Sequence, residues 1–339
     1  MKNWVRFFHV LSILAVIVSL NSCSGKSAKS GKSAKKVRIA FVTNQIASFW
    51  NISKVGCQDA SKDFDVIVDV KMPAQATAVE QKRIVEDLLA NGVQAIAISP
   101  IDAVNQKDEI NKWASQVPLI THDSDAPGTD RLLYIGMDNY KAGRDCGKLI
   151  KQALPEGGNV ILAIGRLEQD NAKRRRQGVI DELLDRSQDA SRFDPVDNKI
   201  EGEKYTILAT LTDQGDPDVA KRKAADAITT YQEANAMVGL FAYNPPAILQ
   251  ALKQASKLEK IKVIGFDEDD ETLQGIKDGT VVGTIVQNPY EYGYRSVEAL
   301  TEILKGNKPK ETFIDIEART ITKDNVDKFW DDLKAKMGG

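Results

Sequence analysis

From Val37 onward the chain alternates short runs of apolar, β-branched residues with stretches whose apolar positions recur every three or four residues. The runs predict strands at 37–43, 65–71, 95–99, 119–122, 132–135, 159–164, 206–211, 237–242, 262–266 and 281–286. The amphipathic stretches predict helices at 79–90, 103–115, 172–184, 217–234 and 247–257. Near-continuous apolar strands separated by helices describe a parallel sheet covered on both faces. Asp216-Pro217 is a helix start, an acceptor side chain followed by Pro at the first helical position. About ten strands exceed one comfortable open sheet. The pattern therefore predicts an α/β fold of two doubly wound parallel-sheet lobes. Ligands of such sheets bind outside the carboxyl ends of the strands, so the residues that follow each strand become the candidates.

Those residues are polar, acidic and aromatic. Asn44 follows the first strand, with Phe49 and Trp50 at the mouth of the next helix; Asp123 follows the fourth strand. Arg174, Arg175 and Arg176 open a helix; Asn244, Asp267 and Gln287 follow the eighth, ninth and tenth strands. Amides and carboxylates offer several hydrogen bonds each, Arg presents a donor fork, and aromatic faces suit the apolar face of a ring. The mixture suits a neutral polyhydroxylated ligand. Plainer roles exist for each: Phe49 and Trp50 as core, Asp123 and Asp267 as loop or cap residues, and two of the three arginines as solvated helix-face residues. In the acidic run 267–271, Asp267 is assigned to ligand and its neighbours to a helix N-terminus. Asp213, Asp216 and Asp218 lack the spacing and distal Glu of a calcium loop, so no metal is expected.

Charge divides the 339 residues unevenly. Residues 1–36 hold seven cations (Lys2, Arg6, Lys26, Lys29, Lys32, Lys35 and Lys36) and no acid. The remaining 39 Lys and Arg face 48 Asp and Glu, a formal charge of −9 that argues against nucleic-acid binding. A cationic start and the apolar run 7–20, too short for a comfortable membrane span, read as a signal peptide over residues 1–22. The run ends in Leu20-Asn21-Ser22-Cys23, which resembles a bacterial lipobox and implies lipidation at Cys23. Residues 24–36, in which GKSAK occurs twice, read as a flexible tether. Gly31-Lys32-Ser33 there is no phosphate loop: five residues instead of four separate Gly25 from Gly31, and no strand precedes it.

With these residues in place the chain resembles a periplasmic substrate-binding protein of the ribose/galactose-binding class, the type I periplasmic binding proteins that serve sugar ABC transporters. The likeness runs from about Val37 to Asp324 through ordered landmarks: Phe49-Trp50, Ala97-Ile98-Ser99-Pro100, Thr121-His122-Asp123-Ser124-Asp125, Tyr134-Ile135-Gly136-Met137-Asp138-Asn139, Ala172-x-x-Arg175-x-x-Gly178, Phe241-Ala242-Tyr243-Asn244, Gly265-Phe266-Asp267 and Val286-Gln287-Asn288-Pro289. It implies two lobes joined by a three-crossover hinge, residues 37–137 plus 288–315 and 138–287 plus 316–339. It also implies a cleft in which Asn44, Phe49, Trp50, Asp123, Arg175, Asn244, Asp267 and Gln287 hold a monosaccharide. Two positions depart from the pattern. Ser124 stands where ribose-binding members carry a second arginine, and Pro245-Pro246 follows Asn244 where many relatives have acids.

The resemblance implies a monomeric, lipid-anchored protein of the periplasm or cell surface that hands its sugar to an ABC permease; a sugar sensor docking to a membrane receptor is the alternative. No cofactor is expected. Past the signal only His122 remains of the histidines, and GxSxG, HExxH and CxxC are absent, so no enzymatic chemistry is assigned. Asp123 and Asp267 as a glycosidase pair is the competing reading. Cys57 and Cys146 fall on different lobes and are expected as free, buried thiols.

Overall fold

The computed structural model describes residues 36–337; Cys23, the signal segment and the tether lie outside the described residues. In chain order the elements are β1 (Arg38–Val42), α1 (Ser48–Asp63), β2 (Ile67–Lys71), α2 (Ala78–Ala90), β3 (Ala95–Ile98), α3 (Lys107–Ala114), β4 (Leu119–His122), β5 (Tyr134–Gly136), α4 (Asn139–Ala153), β6 (Gly158–Ile164) and α5 (Asp170–Leu183). There follow β7 (Ile200–Glu201), β8 (Tyr205–Thr212), α6 (Pro217–Thr230), β9 (Ala236–Gly239), α7 (Asn244–Gln254), β10 (Lys262–Phe266), α8 (Asp270–Asp278), β11 (Gly283–Val286), α9 (Pro289–Leu304), β12 (Phe313–Asp315), β13 (Arg319–Ile321) and α10 (Val326–Met337).

Two sheets organise these elements. The first runs β12-β5-β4-β3-β1-β2, parallel throughout; the second runs β13-β11-β10-β9-β6-β8-β7, antiparallel only at its two edges. Stripped of edge strands, each lobe winds in the same order, second strand, first, third, fourth, fifth. Each therefore has a switch point where the winding reverses, at β1/β3 and at β6/β9. Helices cover both faces, as apolar strands require: α1 and α9 pack on one side of the first sheet and α2 and α3 on the other. In the second lobe α4 and α5 cover one face, and α6, α7, α8 and α10 the other.

The chain changes lobe three times. After β5 it enters α4, capped by Asp138 accepting from the Lys141 amide; after β11 it returns through α9, capped by Asn288 and opened by Pro289. Ile316–Ala318 make the third crossing, from β12 to β13. All ten predicted strands are present. The helix entered after Asp216 starts at Pro217, with the Asp216 carboxylate accepting from Asp218 and Val219. The third helix starts at Lys107 rather than 103, because Asp102 and Gln106 fold the preceding residues into a turn. β7, β12 and β13 carry two or three residues each and owe their form to a neighbouring strand. Cys57 and Cys146 are buried free thiols, one in each lobe. Among the described residues no helix is long and apolar enough to cross a membrane.

Candidate functional site

Between the lobes, at the carboxyl ends of both sheets, lies a cavity partly open to solvent, with about 490 Å3 of empty space counting its mouth. Asn44, Phe49, Trp50 and Asp123 line it from the first lobe, and Arg175, Asp267 and Gln287 from the second. Seven of the eight predicted ligand residues thus meet around one space.

Asp123 and Asp267 occupy equivalent places. Each follows the fourth strand of its lobe and adopts a left-handed backbone, φ 59° and 62°, a conformation that Asp tolerates better than most residues. Each donates its amide to the fifth strand, to the Ile135 and Ile285 carbonyls, and each carbonyl accepts a side-chain hydroxyl, from Tyr134 and Thr284. The carboxylates are thereby turned out of the sheets toward each other. Oδ2 of Asp123 accepts from Ser99 (2.9 Å) and from Asn171 of the opposite lobe (3.3 Å); Gln287 donates to Asp267 (2.7 Å). Burial pushes the Asp123 carboxyl up to about 6, with Arg175 and the Ser99 hydroxyl pulling the other way. Asp267 is raised by the same cause, opposed by Arg175. Asp125 plays a different part: Thr121, Arg131 and the Ala126 amide fully engage it.

Arg175 lies between the two acids. Its side chain is fully buried, with terminal nitrogens 3.9 Å from Asp123 and 3.9 Å from Asp267. Nε donates to Asn139 and one terminal nitrogen to the Leu240 carbonyl, while the guanidinium stacks on Phe266 and Phe241, 4.5 and 5.4 Å from the ring centres. The other terminal nitrogen is buried with no hydrogen-bond partner among the described residues. A buried charged donor left unpaired is costly unless a ligand completes it.

The aromatic wall of the first lobe is built from below. His122, which burial holds down to about 3 and hence neutral, stacks on Phe41 (4.0 Å) and supports the edge of Trp50. Trp50 donates its indole NH to Asn44, and Phe49 stands edge-on against it. These rings are at once core and cavity wall.

Two expectations are corrected. Asn244 does not line the cavity: α7 begins at this residue, so its side chain turns back to accept from the Phe241 amide and to donate to Asp213 (2.8 Å). Asp213 in turn holds the Tyr243 hydroxyl (2.6 Å), so Asn244 acts on the wall at second hand. Arg176 is not solvated either. It is buried and donates to Thr210 and to the Asp194 and Pro195 carbonyls, pinning the loop that follows α5. Arg174 pairs with Asp170 and the Ala190 carbonyl of that loop. Ser124, the departure from the ribose pattern, is buried away from the cavity.

Residues not anticipated also line the space: Gln45, Arg166, Gln169, Phe241 and Tyr243. Phe241 and Tyr243 lie parallel, 6.2 Å apart, on the second lobe's side. The same strand-end rule reaches them. The predicted strand 237–242 absorbed Phe241, whereas β9 ends at Gly239.

Two like-wound lobes that close a buried, two-sided polar cleft define a solute-binding protein. The chain belongs to the periplasmic binding protein domain family, which it matches over residues 39–308. It is 26% identical over 243 residues to the ribose import binding protein of Salmonella typhimurium, covering 70% of this chain and 75% of the relative. With the ribose import binding protein of Bacillus subtilis it shares 28% over 250 residues, 73% of each. A glucose-galactose binding protein from Geobacillus stearothermophilus superposes with a TM-score of 0.77 at 25% identity, covering 86% of this chain and 99% of that one.

Proposed function

We propose that this chain is an extracytoplasmic sugar-binding protein that holds one pentose or hexose between its lobes, 37–137 plus 288–315 and 138–287 plus 316–339, and delivers it to an ABC-transporter permease. The observation that carries the reading is Arg175, a fully buried guanidinium with one unpaired nitrogen, set 3.9 Å from an acid of either lobe. Neighbouring hydroxyls of a sugar give Asp123 and Asp267 donors and Arg175 an acceptor. Two acids offset by Arg175 and Arg166 leave the lining near neutrality, which favours a ligand without net charge over a phosphate. Phe49 and Trp50 from one side and Phe241 and Tyr243 from the other offer faces to the sugar ring. The names of the relatives support the same ligand class. An acylated Cys23 holds the body at a membrane, so a Cys23→Ala chain should leave the membrane fraction; one that stays there argues against the anchor.

Thermal shift against D-ribose, D-allose, D-arabinose, D-xylose, D-galactose and D-glucose tests the reading. A sugar at a hundred times its dissociation constant stabilises by about 2.7 kcal/mol. Arg175→Ala and Asp267→Ala should weaken the responding sugar at least about tenfold, since each removes a charge-assisted hydrogen bond and strands a buried partner. A chain indifferent to all six sugars but stabilised by free amino acids would reject the proposal.

A further inference from the structure

A second seam crosses the cleft beside the ligand residues. Arg166 belongs to the second lobe, two residues beyond β6, and lines the cavity. One terminal nitrogen donates to the Gln214 carbonyl of its own lobe; the other crosses to the Ala76 carbonyl of the first lobe. Both acceptors are held in place. Thr77 caps α2 by accepting from the Glu80 amide, and the Glu80 carboxylate reaches back to the Ala74 and Gln75 amides, fixing the loop that ends at Ala76. On the other lobe the turn 213–216 is tied to the Gly165 carbonyl through the Asp213 and Gln214 amides, and Asp213 accepts from Gly215. Gly215 takes φ +80°, and a Cβ there would press to 2.9 Å from Oε1 of Gln45, across the cleft, and 3.0 Å from Arg166. A bare backbone at 215 lets both side chains lie against it.

We propose that Arg166 is a positioning residue for closure: its hydrogen bond to the Ala76 carbonyl latches the two lobes together, biases the ligand-free chain toward the closed form and prolongs retention of the bound sugar. The retention half rests on the sugar-binding reading; the latch itself requires only that the lobes open. Opening separates Arg166 from Ala76, so this bond exists in the closed form alone and its free energy shifts the equilibrium directly. The acceptor is a main-chain carbonyl of the other lobe rather than a ligand atom, so this contact acts on closure directly.

The experiment uses the ligand-free chain with Cys23→Ala, and one dye on each lobe at Lys107→Cys and Asp226→Cys, both exposed helical positions, while Cys57 and Cys146 remain buried. Single-molecule energy transfer then counts closed and open molecules. Arg166→Ala should lower the closed-to-open ratio at least about tenfold. Glu80→Ala, which frees the acceptor loop from the opposite lobe, should lower it in the same sense. The double variant should fall no further than the larger single effect, because both act on one bond. Arg166→Lys, with a single point of donation, should recover part of the ratio. A ligand-free chain without a closed population, an unchanged ratio in Arg166→Ala, or additive effects of the two substitutions would each overturn the latch. None of these outcomes depends on a sugar binding, so failure of the latch and failure of the sugar reading are read separately.

Discussion

At the scale of single residues, the cleft acids make binding sensitive to pH. Asp123 titrates near 6 in the folded chain and near 4 when unfolded, because burial disfavours its charge. A sugar hydroxyl donates a stronger, charge-assisted hydrogen bond to the ionised carboxylate than to the neutral acid. Affinity should therefore hold above pH 7 and fall by up to about tenfold by pH 5, one unit below that midpoint. Folding responds in the opposite sense. A carboxyl raised in the fold binds its proton more tightly there, so its contribution to stability is present at low pH and is lost as pH rises from about 4 to about 6. Calorimetric titration at pH 8, 7, 6 and 5 with the responding sugar checks the first trend, and denaturation of the free chain the second. Asp123→Asn should flatten both, since Asn also tolerates the left-handed backbone at this position. An affinity that is constant down to pH 5 would remove Asp123 from the ligand contacts.

At the scale of elements, α4 and α5 carry Arg175 into the cleft. They meet through two facing glycines: a Cβ on Gly178 would lie 2.1 Å from the Tyr140 carbonyl, and one on Gly143 would lie 2.2 Å from the carbonyl of Arg175 itself. Helix propensity alone says that Gly178→Ala should stabilise by about 1 kcal/mol. Close packing reverses the sign: the substitution should destabilise by about 1–3 kcal/mol, push α5 outward and weaken sugar binding with it. Urea denaturation and calorimetry on the same variant decide between the two, and a more stable variant would contradict the packing. The sequence made the helices and long strands legible because their apolar period is intrinsic to each segment. It did not reveal β12 and β13, three residues apiece, whose pairing with β5 and β11 is a tertiary event. The site divides in the same way. Asn44, Asp123, Asp267 and Gln287 follow from the ends of strands, and Arg175 from a family pattern. Arg166 and Tyr243 also lie within four residues of a strand end. The inward turn of Asn244 depends on a helix that begins at this residue, three positions before the apolar period predicts. The burial of Arg176 depends on a loop whose path over α5 leaves no local mark in the residues.

At the scale of the whole molecule, the three crossings couple the lobes without fusing their cores. Two of them are built alike, a strand followed by a capped helix of the other lobe, with Asp138 and Asn288 as the caps. The same crossings bear on how the chain assembles as it is made. The edge strand β12 of the first sheet lies beyond all of the second sheet's parallel strands, and it pairs with β5, the last strand before the first crossing. A growing chain therefore cannot complete its first lobe before most of its second has emerged. The usual advantage of vectorial synthesis, one finished unit before the next begins, is denied to it. The late pairing spans a long loop and is entropically slow. Until that strand arrives, β5 presents an open parallel edge beside Asp123. Asp123, on the cavity wall, is thus among the last residues to acquire its full surroundings during biosynthesis.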